Sequence, residues 1–124
     1  MAEAGRIVHL VDDDESIRRS VSFMLRTSGY VVKTYASGVE FLKDVRDAAP
    51  GVILLDVQMP QVDGWEMLRQ VQERHGAGVI PVVMFSGRTD EGADQATERG
   101  AQGFVGKPFD AEQLVASTKA LLPV

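Results

Sequence analysis

Five short apolar runs recur along the chain, beginning near Ile7, Val31, Val52, Pro81 and Phe104. The stretches between them carry apolar residues at helical spacing, and this alternation is typical of βα units. The runs at Ile7, Val52 and Pro81 are almost entirely apolar, as in central strands that are covered on both faces. The run at Val31 is mixed and indicates an edge strand. The pattern predicts an α/β fold of five βα units with a mainly parallel sheet.

Several predicted helices begin with side chains that are suited to capping. Three starts fit a capping box, in which a cap residue precedes a Glu or Gln by three positions: Ser37 with Glu40, Asp63 with Glu66, and Asp110 with Gln113. The first helix is predicted over about residues 15–28, with Gly29 ending it. Its apolar residues recur at helical spacing and are expected to face the core: Ile17, Val21, Met24 and Leu25.

The fourth predicted helix, about residues 90–99, differs from the others in its apolar face. Its apolar residues are Ala93 and Ala96 alone. Small side chains bury little area, and burial stabilises by only about 25 cal/mol per Å². We therefore expect this helix to be the most easily displaced element.

Polar residues with distinct chemistry follow four of the apolar runs. Three aspartates, residues 12–14, follow the first run, Asp56 ends the third, Ser86 ends the fourth and Lys107 follows the fifth. Ligands of parallel α/β sheets bind outside the carboxyl ends of the strands. Residues 12, 56, 86 and 107, separated by 44, 30 and 21 positions, are therefore predicted to converge. Their carboxylates, ammonium and hydroxyl suit a divalent cation and a phosphoryl group.

Length and composition limit the classes of protein to which this chain can belong. At 124 residues the chain is predicted to be one domain, residues 1–124, with an ordered core of about 6–122. It has no cysteine, so neither disulfides nor a cysteine metal site can form. A net charge of −5 disfavours nucleic-acid binding. No run resembles a signal peptide or a membrane span, and we expect a soluble, cytoplasmic protein.

Asp56 is the candidate nucleophile of the predicted cluster. A carboxylate directly after four apolar residues is costly to bury without partners, and carboxylates do form aspartyl phosphates. The alternative, a loop aspartate that caps the next helix, is less favoured because Asp63 is already placed to cap it.

The acidic run after the first strand predicts a cation site. Acids in the first turn of a helix favour its macrodipole, and this accounts for Asp14 and Glu15. It explains Asp12 and Asp13 less well, because they lie at the strand end. Together with Asp56 they would repel one another unless a cation lies between them. Magnesium is the natural occupant, because it is commonly held by one or two carboxylates plus a phosphate, and manganese could substitute.

The remaining signals are weaker when each is taken alone. Lys107 supplies a mobile positive charge for phosphoryl oxygens, and Ser86 supplies a hydroxyl, although both are also common at surfaces and turns. The glycine-rich segment 76–78 precedes a strand instead of following one, so it is no dinucleotide fingerprint. His9 and His75 are interpreted as structural or solvated residues, and Trp65 as a packing residue.

Across its whole length the chain resembles a receiver domain of the bacterial two-component response regulators. The resemblance rests on five short segments in this order: Val11-Asp12-Asp13, Leu55-Asp56-Val57-Gln58-Met59-Pro60, Asp63-Gly64, Ser86-Gly87 and Lys107-Pro108-Phe109. It implies a flavodoxin-like, doubly wound (βα)5 fold with strand order 2-1-3-4-5. The pattern of apolar residues along the chain is also similar to that of receivers that precede LuxR-type DNA-binding domains.

The resemblance implies a metal-dependent phosphoacceptor. Asp56 would accept the phosphoryl group from a phosphohistidine. Asp13 and Asp56 would bind magnesium directly, while Asp12 would contribute through water and Gln58 through its backbone carbonyl. The chain would catalyse only its own phosphorylation and dephosphorylation, so it is not expected to be an enzyme.

The resemblance also implies a switch. Ser86 and Lys107 would contact the phosphoryl group, and Ser86 and Phe104 would change conformation with it. Phe stands at this position in place of the Tyr that is also common in the family, so it can turn inward but cannot donate a hydroxyl hydrogen bond. The family often has a cis peptide bond before the proline that corresponds to Pro108, whereas the general preference of such bonds is trans.

The implied partners are proteins. A sensor histidine kinase or a histidine phosphotransfer protein would supply the phosphoryl group, and an unidentified downstream protein would respond to it. A phosphorylation-dependent homodimer is a further candidate, whereas direct nucleic-acid or membrane binding is not expected. The leading interpretation is a stand-alone module without an effector domain.

Three alternative functions stay open. The chain could be the receiver portion of a LuxR-type transcription factor. It could be a phosphatase whose aspartyl nucleophile follows the first strand, because Asp12 and Asp14 have the two-residue spacing that such enzymes use. A flavin carrier on the same fold is disfavoured, since no loop rich in glycine and hydroxyl residues follows Val11.

Overall fold

The computed structural model describes residues 7–44, 51–59, 61, 63–75, 80–86, 92–106 and 111–122. Strands and helices alternate along these residues, as the apolar pattern predicted. The elements are β1 (Ile7–Val11), α1 (Glu15–Thr27), β2 (Val31–Tyr35), α2 (Gly38–Asp44), β3 (Val52–Asp56), α3 (Gly64–His75), β4 (Val82–Ser86), α4 (Gly92–Glu98), β5 (Gly103–Gly106) and α5 (Ala111–Leu121).

The five strands form one parallel sheet in the order β2-β1-β3-β4-β5, which confirms the expected fold and places β2 at an edge. After β1 the chain adds β2 on one side and then returns to add β3 on the other. The order therefore reverses between β1 and β3, and this is the topological switch point. Val11 of β1 is paired with Leu55 of β3, so Asp12 and Asp56 are the next residues along the two neighbouring strands.

Two apolar layers cover the two faces of the sheet. All five residues of β3 are buried, and their side chains alternate between the layers with the period of two that a strand imposes. Ile53 and Leu55 pack with residues of α2, α3 and α4. Val52 and Leu54 pack with residues of α1 and α5. The central strand is therefore fixed from both sides, which holds its last residue, Asp56, in place.

Local hydrogen bonds explain where several helices begin and end. The Asp14 carboxylate accepts the N–H of Ser16 at 2.8 Å, as expected for a residue that caps α1. Gly29 has a φ of 104°, a left-handed conformation that glycine adopts without strain. Its N–H donates to the carbonyl of Arg26 at 3.1 Å. The helix ends at Thr27, one residue earlier than predicted.

The predicted capping residues of α2 and α3 act as caps. Ser37 Oγ accepts the N–H of Glu40 at 3.1 Å, and Asp63 Oδ1 accepts the N–H of Glu66 at 2.9 Å. Glu40 departs from the ideal capping box, because its side chain accepts from the N–H of Ala36. The third predicted box includes Asp110, which lies outside the described residues.

Helix α4 is short, and the residue that follows its carboxyl end contacts α3. Ala96 is buried, as its predicted inward position requires. Beyond the helix, the Arg99 guanidinium lies 4.9 Å from the centre of the Trp65 ring. The carbonyl of Arg99 accepts a hydrogen bond from Nε2 of Gln72 at 2.9 Å. These contacts tie the end of α4 to α3, and the ease of displacing α4 stays a prediction.

Among the described residues, no helix has both the length and the apolar character that are needed to cross a membrane.

Candidate metal centre

Three carboxylates meet at the carboxyl ends of β1 and β3. Asp12, Asp13 and Asp56 each offer one oxygen, and these oxygens all lie within 4.8 Å of one another. Asp12 and Asp56 are almost completely buried, with exposed fractions of 0% and 2%, whereas Asp13 is exposed. The predicted convergence of these residues is confirmed. The cluster has two buried members and one member that faces solvent.

Backbone and side-chain hydrogen bonds hold Asp12. Its N–H donates to the Tyr35 carbonyl of β2 at 3.1 Å. Its carbonyl accepts from Nη1 of Arg18 at 2.8 Å, and its Oδ1 accepts from the N–H of Asp14 at 2.9 Å. The turn between β1 and α1 is therefore connected to the neighbouring strand, to the helix and to itself.

Hydrogen bonds also hold Asp56 and the residue that follows it. Its Oδ1 accepts the N–H of Gln58 at 3.4 Å, and the next residue, Val57, donates its N–H to the Phe85 carbonyl of β4 at 3.0 Å. Strand pairing with β4 thus continues one residue beyond Asp56. Gln58 lies two residues after Asp56, close to the carboxylate cluster in the chain. Binding of the metal by its backbone carbonyl, which the resemblance implies, stays a prediction.

Gly64 brings the start of α3 into direct contact with the backbone of Asp56. Its N–H donates to the Val57 carbonyl at 2.8 Å. A Cβ atom on Gly64 would lie only 2.3 Å from the Asp56 carbonyl oxygen and 2.7 Å from Cα of Val57. Any larger residue at position 64 would therefore push the candidate acceptor out of position.

The remaining predicted site residues lie on β4 and β5 or beyond them. Ser86 is the last residue of β4 and is paired with Gly106 of β5, which directly precedes Lys107 in the chain. Phe104 is paired with Met84 and packs, half-buried, against the core on the α3 and α4 side. The side chain of Ser86 and the whole segment 107–110 lie outside the described residues, so the predicted contacts of Ser86 and Lys107 and the bond before Pro108 stay predictions.

The donor set fits a hard divalent cation. All three groups are carboxylates, and magnesium prefers oxygen ligands at about 2.1 Å. Oxygens in an octahedron of that size lie about 3 to 4.2 Å apart. The three oxygens lie within 4.8 Å of one another, which is compatible with binding a single ion. Burial of two negative groups side by side is also unfavourable without a compensating positive charge. Magnesium would therefore stabilise this arrangement.

The sequence pattern did not single out Arg18 or explain Gly64, although both touch the acidic cluster. In the sequence, Arg18 looks like any polar residue on the outer face of a helix. Its position six residues after Asp12 carries no capping signal. Gly64 was recognised only as part of a motif. A glycine at the first position of a helix is a usable signal, since glycine weakens helices and its presence there points to a close approach.

The family of response regulator receiver domains matches residues 8–119 of this chain. The transcriptional regulatory protein GltR of Pseudomonas aeruginosa is 33% identical over 124 residues, an alignment that covers 98% of this chain and 51% of GltR. The transcriptional regulatory protein FixJ of Azorhizobium caulinodans is 36% identical over 115 residues, covering 93% of this chain and 54% of FixJ. The chain thus spans about half the length of these relatives.

Solved structures are similar over nearly the whole chain. The chemotaxis protein CheY4 of Vibrio cholerae superposes with a TM-score of 0.86 at 35% identity, covering 96% of this chain and 100% of CheY4. The response regulator DrrB of Thermotoga maritima gives a TM-score of 0.82 at 34% identity, covering 94% of this chain and 52% of DrrB. The fold thus occurs both as a complete chain and as one part of a longer protein.

Proposed function

This chain belongs to the family of response regulator receiver domains, and we propose that Asp56 accepts a phosphoryl group in a magnesium-dependent reaction. The observation that carries the proposal is the meeting of Asp12, Asp13 and Asp56 within 4.8 Å at the switch point of the sheet. The donor would be the phosphohistidine of a sensor histidine kinase or of a histidine phosphotransfer protein.

In the proposed reaction an oxygen of the Asp56 carboxylate attacks the phosphorus. The P–N bond to the histidine breaks, its electron pair remains on the imidazole nitrogen, and that nitrogen takes up a proton from solvent. Asp56 becomes an aspartyl phosphate. A bound magnesium ion, held by Asp12, Asp13, Asp56 and the carbonyl of Gln58, would supply positive charge to the phosphoryl oxygens.

Ser86 and Lys107 complete the proposed reaction. The Lys107 ammonium and the Ser86 hydroxyl would each contact a phosphoryl oxygen and offset its charge. Their positions in the chain support this assignment: Ser86 ends β4, and Lys107 follows the β5 residue that is paired with it. Manganese is proposed as an alternative ion because it accepts the same oxygen ligands.

Phosphorylation is proposed to switch a protein-binding surface. Movement of Ser86 toward the phosphoryl group would let Phe104, which is half-buried beside β4, turn inward. Helix α4 would then settle in a second packing, which a downstream protein or a second copy of the chain could recognise. Such a shift is limited by the difference in contacts between the two packings.

The competing enzyme function is less well supported by the geometry. A phosphatase with its nucleophile at Asp12 would use Asp14 as its second acid. The Asp14 carboxylate is already engaged with the N–H groups of Ser16 and Ile17 at the start of α1. We propose that the chain catalyses only its own phosphorylation and dephosphorylation. Hydrolysis of an external phosphomonoester at many turnovers per chain would contradict this.

Whether the receiver acts alone stays a prediction. Relatives such as GltR and FixJ are transcriptional regulatory proteins about twice as long, whereas CheY4 has the same extent as this chain. The reading frame of the gene distinguishes the two arrangements directly.

The decisive experiment is intact-mass measurement after incubation with acetyl phosphate and magnesium. Wild-type protein should gain one phosphoryl mass, and Asp56→Asn should gain none. Asp63→Asn is the matched control, because asparagine keeps the capping oxygen that accepts from Glu66 while an acid of the same loop is removed. A full mass gain in Asp56→Asn would refute the assignment.

A further inference from the structure

Two adjacent arginines of α1 have different surroundings. Arg18 is half-buried, and its Nη1 donates to the carbonyl oxygen of Asp12 at 2.8 Å. Arg19 has 79% of its side chain exposed and pairs with Glu15 at 3.3 Å. Only the first of the two arginines therefore reaches the turn that carries the acidic cluster.

The Arg18 bond acts on the peptide group that joins Asp12 to Asp13. That group is planar, so fixing its oxygen also fixes the direction in which the chain enters Asp13. The other end of Asp12 is held by its bond to Tyr35 at 3.1 Å. Asp13 is exposed and has little packing of its own to orient it, so its carboxylate depends on this backbone for its position beside Asp12 and Asp56.

We propose that Arg18 is a positioning residue for the metal-binding acids, and that it acts through its hydrogen bond to the Asp12 carbonyl. The inference rests on the proposed function in one respect, namely that Asp12, Asp13 and Asp56 form the magnesium site. Groups that orient metal ligands without touching the metal commonly change metal affinity about 10- to 100-fold when they are removed.

The charge and the hydrogen bond of Arg18 have opposite effects on a cation. A guanidinium near the cluster repels magnesium, so removing the charge alone would strengthen binding. Loss of the hydrogen bond would loosen the Asp12–Asp13 turn and weaken binding. The sign of the change in magnesium affinity therefore separates positioning from simple electrostatics.

The test is calorimetric magnesium titration of unphosphorylated protein. Arg18→Met keeps the apolar stem but removes donor and charge, and should weaken binding about tenfold. Arg18→Lys keeps a donor and the charge, and should bind magnesium nearly as tightly as wild type and more tightly than Arg18→Met. Arg19→Met removes the same charge one residue along, and should leave the affinity unchanged or slightly higher. Equal or tighter binding by Arg18→Met, or an equal loss in Arg19→Met, would overturn the proposal.

Amide exchange without metal provides an independent readout. The Asp14 N–H donates to Asp12 Oδ1 inside the same turn. Arg18→Met should speed its exchange several-fold while leaving amides in the middle of α1, such as that of Ser22, unchanged. Unchanged exchange at Asp14 would contradict the positioning role even if magnesium affinity fell.

Asp13→Asn separates failure of this inference from failure of the proposed function. If Asp13→Asn and Asp56→Asn bind magnesium as wild type does, the acidic cluster is not the metal site and the proposed function falls. If both lose binding while Arg18→Met behaves like Arg19→Met, the site stands and only the role of Arg18 is wrong.

Discussion

Asp56 shows how a single buried carboxylate depends on the residues around it. It ends a strand whose five residues are all buried, and its oxygens lie beside those of Asp12 and Asp13. Gly64 lies so close to the Asp56 backbone that there is no room for a Cβ atom between them. At the residue scale, backbone contacts with β4 and with the start of α3 help to position Asp56.

Gly64→Ala is expected to be strongly disruptive. Its new Cβ would meet the Asp56 carbonyl oxygen at 2.3 Å, so the backbone must shift. Overpacking of this kind costs about 1 to 3 kcal/mol. We expect such a loss in the free energy of unfolding measured in urea, together with slower phosphorylation of Asp56 by acetyl phosphate.

Gly103→Ala is the matched control for that variant. A Cβ at position 103 would meet a methyl group of Val83 at 3.4 Å, an ordinary contact. It should change stability much less than Gly64→Ala does. Similar losses in the two variants would show that the effect reflects glycine replacement in general.

At the scale of the element, α3 combines a helix cap with a small network of charges. Arg69 pairs with both Glu66 and Glu73 on the exposed surface of the helix. The hydrogen bond from Arg69, followed by one from Gln70, lowers the pKa of Glu66 to about 2. The same partner, Glu66, raises the pKa of Arg69. The pairs are solvent-exposed, so their contribution to stability is small.

The lowered pKa of Glu66 predicts a specific pH dependence. Because the pKa of Glu66 is lowered in the folded state, its ionised carboxylate stabilises the fold. This stabilisation is fully present at pH values above the unfolded-state pKa of about 4.3, and it is lost as the pH falls toward the folded-state pKa of about 2. Carboxyl titration by NMR should place the midpoint of Glu66 near the lower value. Arg69→Ala should raise that midpoint toward the ordinary range. Arg74→Ala is the control, since Arg74 donates instead to the carbonyl of Leu42.

Helix α4 is the element that we expect to respond to phosphorylation. Its carboxyl end is tied to α3 by the Arg99 guanidinium over the Trp65 ring and by the bond from Gln72. Trp65 is the single tryptophan of the chain. Its fluorescence should therefore change on phosphorylation, and amide exchange should change within residues 86–106.

Arg99→Met tests the source of the fluorescence signal. It removes the cation from the Trp65 ring, so the fluorescence change should shrink while the phosphorylated fraction, read by mass, stays the same. Amide exchange that changes only far from residues 86–106 would contradict the predicted movement of α4.

At the scale of the whole molecule, we expect magnesium binding at the acidic cluster to stabilise the fold. A ligand that binds only the folded state stabilises it by about 2.7 kcal/mol at a hundredfold excess over its dissociation constant. Magnesium should therefore raise the melting temperature of the unphosphorylated protein. Protons compete for the same carboxylate oxygens, so the rise should be smaller at pH 5 than at pH 7.5.

Asp13→Asn provides the control for this melting experiment. It removes one carboxylate of the cluster at an exposed position, where the substitution costs the fold little. Its magnesium-induced rise in melting temperature should be reduced. An undiminished rise in the variant, or equal rises at both pH values, would place the metal elsewhere on the molecule.

Sequence alone determined the order of the elements, the edge position of β2 and the strand-end location of the acids. These features follow from short-range physics: apolar runs of strand length, caps three residues from their acceptors, and the common edge at which parallel strands end. The cap at Asp63 and the inward face of α1 were predictable for the same reason.

Only the tertiary structure decided how the site is supported. The contact of Gly64 with Asp56, the bond from Arg18 to Asp12 and the stacking of Arg99 on Trp65 each depend on how separate elements or turns are oriented in space. Their local sequence carries no periodic signal for such contacts. Burial likewise divides Asp12 from Asp13, because the strand end is enclosed by the sheet while the next residue emerges into solvent.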